Sequence, residues 1–149
     1  MRQIFYAMQF NGRAVPAANS SNVMKATTTA DSCALTTAVS AEGLSANLQL
    51  VAGGKAIFES EVTVTGENSF IESGTIHFGE GNHQLHFSTV GEGYLGTSAD
   101  PELRHGSVIW RVDGGEGQFG GASGLITSNF TISEAGDVID RHFGVIFVR

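Results

Sequence analysis

The sequence has little charge and almost nothing that promotes a helix. Only 15% of its 149 residues are Asp, Glu, Lys or Arg, whereas soluble domains usually contain about 25%. Signals for helix starts and ends are nearly absent, and the one candidate is a short turn near Ala17. Low charge combined with much Gly, Ser and Thr predicts a single β-rich domain with many tight turns.

Basic residues are scarce and scattered. Eight Lys and Arg stand against fifteen Asp and Glu, so the net charge is −7. Because affinity for phosphates comes from clustered Lys and Arg, no nucleic-acid partner is expected.

Cysteine and proline are also rare, with one and two residues. The lone Cys33 excludes an internal disulfide. It is interpreted as a small, half-buried apolar residue, and the alternative role of a nucleophile lacks any local motif. Two prolines argue against a proline-rich linker.

Long hydrophobic runs are absent. No stretch approaches the roughly 20 apolar residues of a membrane helix, and residues 1–10 lack the apolar run and cleavage site of a signal peptide. No membrane partner and a cytoplasmic location are therefore expected.

What the chain does contain is a series of strand patterns separated by turns. Apolar residues alternate with polar ones over 44–50, and Gly53-Gly54 is predicted to turn the chain. Residues 69–78 and 83–90 form the clearest hairpin, in which Ile76 is expected opposite Leu85. Residues 11–22 are predicted to be a loop.

The last three strands are predicted over 106–112, 125–133 and 138–148. The final strand is apolar on both faces, so both faces are expected to be covered. One face would see the interior, and the other would see a second sheet, a covering segment or a second subunit.

Eight to ten short strands predict a sandwich or a barrel. Closure removes exposed strand edges, so the favoured fold is all-β, a single antiparallel β-barrel of about eight strands spanning residues 1–149.

A glycine-rich stretch, Asp113 to Gly124, holds six of the twenty glycines and joins two of these strands. Its segment Gly-Gly-Glu-Gly-Gln-Phe-Gly-Gly-Ala-Ser-Gly, residues 114–124, resembles the late strand–turn–strand signature of allene oxide cyclases, dirigent proteins and related bacterial barrels. The resemblance covers about the last 45 residues of the chain. It implies an eight-stranded, calycin-like barrel with a ligand-accessible interior, often assembled into oligomers, and it transfers no catalytic residue. Phe119 is expected to enter the core while the glycines allow tight turns.

The same stretch fits Gly-x-Gly-x-x-Gly by letter. A dinucleotide site needs a helix after that motif, but residues 125–133 are β-prone. Nucleotide binding is therefore excluded, and no cofactor is expected.

Candidate catalytic residues lie on the last strands. Asp140 and His142 share one face, and a carboxylate that orients a histidine forms an acid–base unit; the alternative is an ordinary hairpin-end hydrogen bond. Arg111 and Trp110 point to opposite faces, so either an inward Arg111 needs a carboxylate partner or an inward Trp110 forms a pocket wall or core.

Further candidates are polar or aromatic residues that could line a pocket: Tyr6, His77, His86, Tyr94 and Trp110. His77 and His86 share a hairpin face, but no third ligand completes a metal site, so no metal is expected. The alternative for both is a solvated sheet face.

Two functions remain open. One is a cofactor-free isomerase or cyclase that shapes a hydrophobic small molecule in a dry pocket. The other is a non-catalytic ligand carrier or a structural barrel with a packed interior. A homo-oligomer is compatible with both.

Overall fold

A computed structural model describes residues 1–149, which form a single antiparallel sheet. The only helical segment is a 3-10 turn, Gly117–Phe119. The nine strands, numbered in chain order, are β1 Arg2–Pro16, β2 Val23–Ser40, β3 Gly43–Val64, β4 Ser69–Phe78, β5 Gln84–Thr89, β6 Gly93–Thr97, β7 Leu103–Glu116, β8 Ser123–Ser133 and β9 Asp137–Val148.

The sheet closes on itself. β1 pairs with β2 on one side and with β9 on the other, and the ring continues through β3, β4, β7 and β8. β5 and β6 lie end to end between β4 and β7, so they share one position. Eight positions around the ring confirm the predicted all-β, barrel-like fold, and closure leaves few free edges.

Sequence alternation sets the register of the predicted hairpin. Ile76 pairs with Leu85, and both side chains are fully buried. Because strand side chains alternate, one face of β4 and β5 enters the interior while His77 and His86 stay on the other.

The inward face of the last strand, β9, is covered, as predicted. Val138, Ile146 and Val148 are buried inside the ring. Its outer face carries Phe143 and Phe147, which remain exposed within one chain.

Two local predictions were wrong. Strand β1 continues to Pro16, since Asn11 to Pro16 pair with β2, and only residues 17–22 form the connection. Gly53-Gly54 lie within β3, which runs from Gly43 to Val64. The chain is instead displaced at a bulge, where Asp31 pairs with Lys55 and Cys33 already pairs with Leu50.

Beyond this bulge the β2–β3 hairpin leaves the barrel. Cys33–Ser40 pairs with Gly43–Leu50, and nearly every side chain of both strands is exposed. We call residues 33–50 the arm.

The glycine-rich stretch lies across one end of the barrel. Gly114, Gly117 and Gly121 have positive φ angles, which glycine adopts without strain. These turns direct Phe119 into the core, where its ring centroid lies 5.2 Å from that of Phe78. The predicted role of Phe119 as a core residue is confirmed.

The structure has no helix with the length and apolar character needed to cross a membrane.

Candidate functional site

The two ends of the barrel interior differ. At one end, which we call the closed end, Tyr6, Phe78 and Phe119 fill the space. At the other, the open end, the interior continues into a cavity that reaches solvent.

A layer of rings separates the two ends. Trp110 is fully buried and lies 4.6 Å from Phe87 and 5.3 Å from Phe58, measured between ring centroids. The imidazole of His142 stacks on Phe10 at 4.3 Å and meets the Trp110 ring edge-on at 5.0 Å. Aromatic contacts at these separations stabilise a core beyond simple burial. Because the rings fill the space between the strands, this half of the interior has no room for a ligand.

The cavity at the open end has a volume of about 120 Å³. Of its 19 lining residues 11 are hydrophobic, among them Met24, Val62, Phe70 and Phe130. Three of its lining side chains are polar and buried: Thr28, Glu72 and Asp140. A few polar groups at the base of an apolar pocket are the usual arrangement of a small-molecule site.

Glu72 occupies an inward position of β4, two residues after Phe70. It lies where the backbone pairing of β4 changes from β5 to β6, and its neighbour is Thr89, the last residue of β5. The Glu72 amide donates to Thr89 Oγ1 at 2.7 Å, and the same hydroxyl donates back to the Glu72 carbonyl at 2.8 Å. This local pairing fixes the backbone that carries the carboxyl group.

The carboxyl group of Glu72 receives two hydrogen bonds. Ser60 Oγ donates to Oε1 at 2.6 Å, and the indole Nε1 of Trp110 donates to Oε2 at 3.1 Å. Because the indole can only donate, Oε2 remains an acceptor; when the carboxyl group is protonated, the proton lies on Oε1, and the Ser60 hydroxyl then accepts from Oε1 in place of donating to it.

Burial is the main cause that raises the pKa of Glu72 to about 8; the nearby Asp140 charge adds to this effect, and the Ser60 and Trp110 hydrogen bonds oppose it. Desolvation disfavours the charged form of a carboxyl group. Glu72 is therefore protonated at neutral pH and can act as a hydrogen-bond or proton donor.

Asp140 is held from two sides. Ser128 Oγ donates to Oδ1 at 2.6 Å, and Nε2 of His142 lies 3.0 Å from Oδ2. All three side chains are buried. The predicted pairing of Asp140 with His142 on one face of β9 is confirmed, and it orients the carboxylate towards the cavity.

The arrangement is not that of a hydrolytic triad. In such a triad the serine gives its proton to the histidine, whereas here both Ser128 and His142 contact Asp140. Nδ1 of His142 has no protein partner, and His142 does not line the open-end cavity. His142 is thus a positioning residue for Asp140.

Two buried hydroxyl groups also lack a protein partner, one in each half of the interior. Thr28 Oγ1 lies at the cavity. The Tyr6 hydroxyl lies towards the closed end, where burial first, and then the Asp140 charge, raise its pKa. Buried polar atoms are normally paired, so the Thr28 hydroxyl is a free contact point for a molecule in the cavity.

Trp110, not Arg111, is the inward residue of the pair in β7. The Arg111 side chain is 61% exposed and its Nε lies 2.9 Å from Asp113 Oδ1. Although partial burial opposes ionisation of Asp113, hydrogen bonds from Ser88 and Arg111 lower its pKa. Arg111 belongs to an ion pair on the outer surface and does not contact the cavity.

The other predicted ligand-binding residues also lie apart from the cavity. His86 is exposed, with Nδ1 3.3 Å from Thr75 Oγ1, and His77 is on the same outer face. Tyr94 is exposed and does not line the cavity. No cluster of three potential metal ligands occurs in the structure.

Three buried polar residues of the interior were not predicted. Glu72 and Thr28 line the cavity, and Ser128 supports Asp140. Each occupies an inward position in a strand whose other inward residues are apolar, as in Ala26-x-Thr28-x-Ala30. A polar residue on the apolar face of a strand is the signal that would have found them. Arg104, at the rim of the cavity, gives no such signal.

No protein-family model, curated protein or solved structure matches this chain. The resemblance of residues 114–124 to allene oxide cyclases therefore stays a prediction.

Proposed function

We propose that this protein binds a small, mostly apolar molecule in the open end of its barrel and acts on it as a cofactor-free isomerase or cyclase. One observation carries the proposal: an apolar cavity ends on two buried carboxyl groups and a buried hydroxyl that has no partner. Groups this costly to bury are found preferentially at functional sites.

The floor of the cavity selects the polar end of the ligand. Glu72 and Asp140 disfavour an anion, while Asp140 and Thr28 can accept hydrogen bonds. The ligand class is thus an apolar body that carries a hydrogen-bond donor or another neutral polar group. The cavity of about 120 Å³ is smaller than most ligand pockets, which hold about 300–1,000 Å³, so part of the molecule would extend through the open end.

The two carboxyl groups differ in the way proton transfer requires. Asp140, which accepts hydrogen bonds on both oxygens, is the base, and protonated Glu72 is the acid. Asp140 removes a proton from a carbon beside an unsaturated group, the electron pair shifts along the molecule, and Glu72 protonates the far carbon. The substrate keeps its composition, and return of the proton from Asp140 to Glu72 restores the site.

Binding is tested with two dyes that share one ring framework. Fluorescence titration with N-phenylnaphthylamine, which is neutral and has an N–H donor, should give saturable binding, and the sulfonate analogue anilinonaphthalene sulfonate should bind more weakly. Val62→Trp fills the cavity and should abolish binding, whereas Ile71→Trp on the outer surface should not. Undiminished dye binding by the Val62→Trp variant, or equal affinity of the unaltered protein for both dyes, would contradict the proposal.

Catalysis is tested by incubating the protein with small unsaturated ketones in deuterium oxide and measuring deuterium uptake by mass spectrometry. Exchange that is lost in Asp140→Asn and Glu72→Gln, while N-phenylnaphthylamine still binds, supports an isomerase. Binding without exchange in the unaltered protein would leave the ligand carrier as the function. The filled closed end, which restricts any ligand to one half of the interior, is the feature that favours this second candidate.

A further inference from the structure

We infer that the arm is a self-association device that lies on the outer wall of a second copy of this chain. The wall is defined by the exposed outward side chains of three neighbouring strands: Phe5 on β1, Leu125 on β8, and Phe143 and Phe147 on β9.

The first observation is the composition of the arm. Between Asp31 and Lys55 the only charged residue is Glu42. Exposed hairpins and strand edges normally carry charges that prevent pairing with other chains. At the arm tip Val39 pairs with Leu44, and these side chains are 82% and 76% exposed. Such a surface is suited to contact with protein rather than with water.

The second observation is the stability of the arm itself. A two-stranded hairpin without a packed face is marginally stable in water at best. Both faces of the arm are exposed, and Leu48 is the one residue between Ala34 and Lys55 that is even half-buried. The arm therefore needs a surface that one chain by itself does not supply.

The third observation is that the same chain exposes a matching surface. In the wall, Val145 pairs with Phe5 on one side and with Leu125 on the other, so the apolar side chains are contiguous. Phe5 is 73% exposed. Contiguous exposed apolar patches of this kind mark interaction sites.

Arm and wall are also adjacent. A cleft of about 200 Å³ separates Leu35 and Leu48 on the arm from Ala7 and Arg141 on the barrel. Strand β1 has a single strand neighbour over Arg2–Phe10, because β2 pairs only with residues 11–16. Arm, free strand edge and wall thus form one continuous surface.

A second copy is the occupant that uses both halves of this surface. In a two-fold dimer each arm lies on the partner's wall, so every contact occurs twice. The exposed large apolar side chains of arm and wall number eight, four on the arm (Leu35, Val39, Leu44, Leu50) and four on the wall. At roughly 100 Å² each they supply about 800 Å² per copy, which matches the roughly 800 Å² per partner of a stable interface.

The experiment measures the mass of the full chain in solution by sedimentation velocity over a wide concentration range. We expect a dimer. The arm variant Val39→Lys/Leu44→Lys and the wall variant Phe5→Lys/Phe143→Lys should each weaken self-association roughly 100-fold or more, since each removes apolar contacts twice. The control Ile57→Lys/Ile71→Lys, which places the same charges on β3 and β4 across the barrel, should remain dimeric. Circular dichroism verifies that each variant is folded.

Mixing distinguishes arm-on-wall contact from other modes. A heterodimer of the arm variant with the wall variant retains one intact contact, namely the unaltered arm of one copy on the unaltered wall of the other. The mixture should therefore associate more strongly than either variant alone.

Three results overturn the inference: a full chain that is monomeric at all concentrations, a dimer that persists in the arm variant, or a mixture no stronger than its components. Binding of a monomer to phosphatidylcholine vesicles, lost in the wall variant, would instead identify a lipid surface as the occupant and would also overturn it.

Discussion

The closed and open ends of the barrel are built from the same strands but are filled differently. Towards the closed end the inward positions carry large rings, including Phe87, Phe119 and Trp110, which pack closely against one another and their neighbours. Towards the open end, strands β2, β4 and β9 place Thr28, Glu72 and Asp140 inward. One half of the chain's interior thus supplies stability, and the other half holds polar groups whose burial costs stability. The packed half of the barrel is therefore a rigid support for a small site at the other end.

The largest difference in stability is expected when phenylalanine is replaced by alanine in each half of the interior. Phe58→Ala removes a fully buried ring from the packed layer and should lower the free energy of unfolding by about 3–5 kcal/mol. Phe130 is half-exposed at the rim of the cavity. Phe130→Ala should lower the free energy of unfolding by only about 1 kcal/mol, because less apolar surface of this ring is removed from water on folding. Urea denaturation measures both values. Equal losses would mean that the two halves are packed alike.

The next prediction concerns Glu72 and pH. Its folded-state pKa of about 8 lies above the ordinary value near 4.3 of an unfolded chain. Between these two values the folded state holds a proton that the unfolded state has lost, so stability is full at low pH and falls as the pH rises to about 8. Glu72→Gln keeps a neutral hydrogen-bonding group and should remove this loss.

The expected difference is read from urea denaturation of Glu72→Gln and the unaltered protein at several pH values. The two should be similar near pH 4.5, and the variant should be more stable by up to about 4 kcal/mol near pH 8, since each pH unit between the two pKa values is worth at most about 1.4 kcal/mol. Glu59→Gln, an exposed glutamate on β3, serves as the control and should show no such trend. A variant that loses stability at high pH would mean that Glu72 is charged in the folded protein.

A smaller effect is expected at the two unpartnered hydroxyl groups. Tyr6→Phe removes a buried hydroxyl near the closed end and should stabilise the fold by about 1 kcal/mol, because an unpaired polar group no longer has to be desolvated. Thr28→Val should gain about half as much, since the Thr28 hydroxyl faces a cavity that opens to solvent. Thermal unfolding compares them. If Thr28→Val stabilised the fold more than Tyr6→Phe, the unpaired hydroxyl at the open end would be the one whose burial costs more.

Most of the fold could be predicted from the sequence because alternation is a local signal. The pairing of Ile76 with Leu85 and the inward face of β9 follow directly from period-two patterns. The arm could not be predicted in this way, because its alternation over 44–50 is that of a half-buried strand, yet the bulge at Asp31 and Cys33 directs it away from the core.

The site was less predictable than the fold. Asp140 and His142 were found because they lie two residues apart on one strand, so that their contact is local. Glu72 meets Ser60 and Trp110 from two other strands, and such distant contacts depend on the closure of the ring. The choice between Trp110 and Arg111 depended on the phase of β7, since either residue fits an alternating strand.

The smallest effect is expected at Arg111, whose exposed position on the outer surface contrasts most with the cavity. Its exposed ion pair with Asp113 should contribute at most about 0.5 kcal/mol, because exposed pairs are screened by solvent. Arg111→Ala should therefore leave stability nearly unchanged and should bind N-phenylnaphthylamine as the unaltered protein does. Arg104→Ala, at the cavity rim, is the matched variant and should change the affinity for the dye. If Arg111→Ala weakens dye binding and Arg104→Ala does not, the ligand lies on the outer surface of β7 and the open end is not the site.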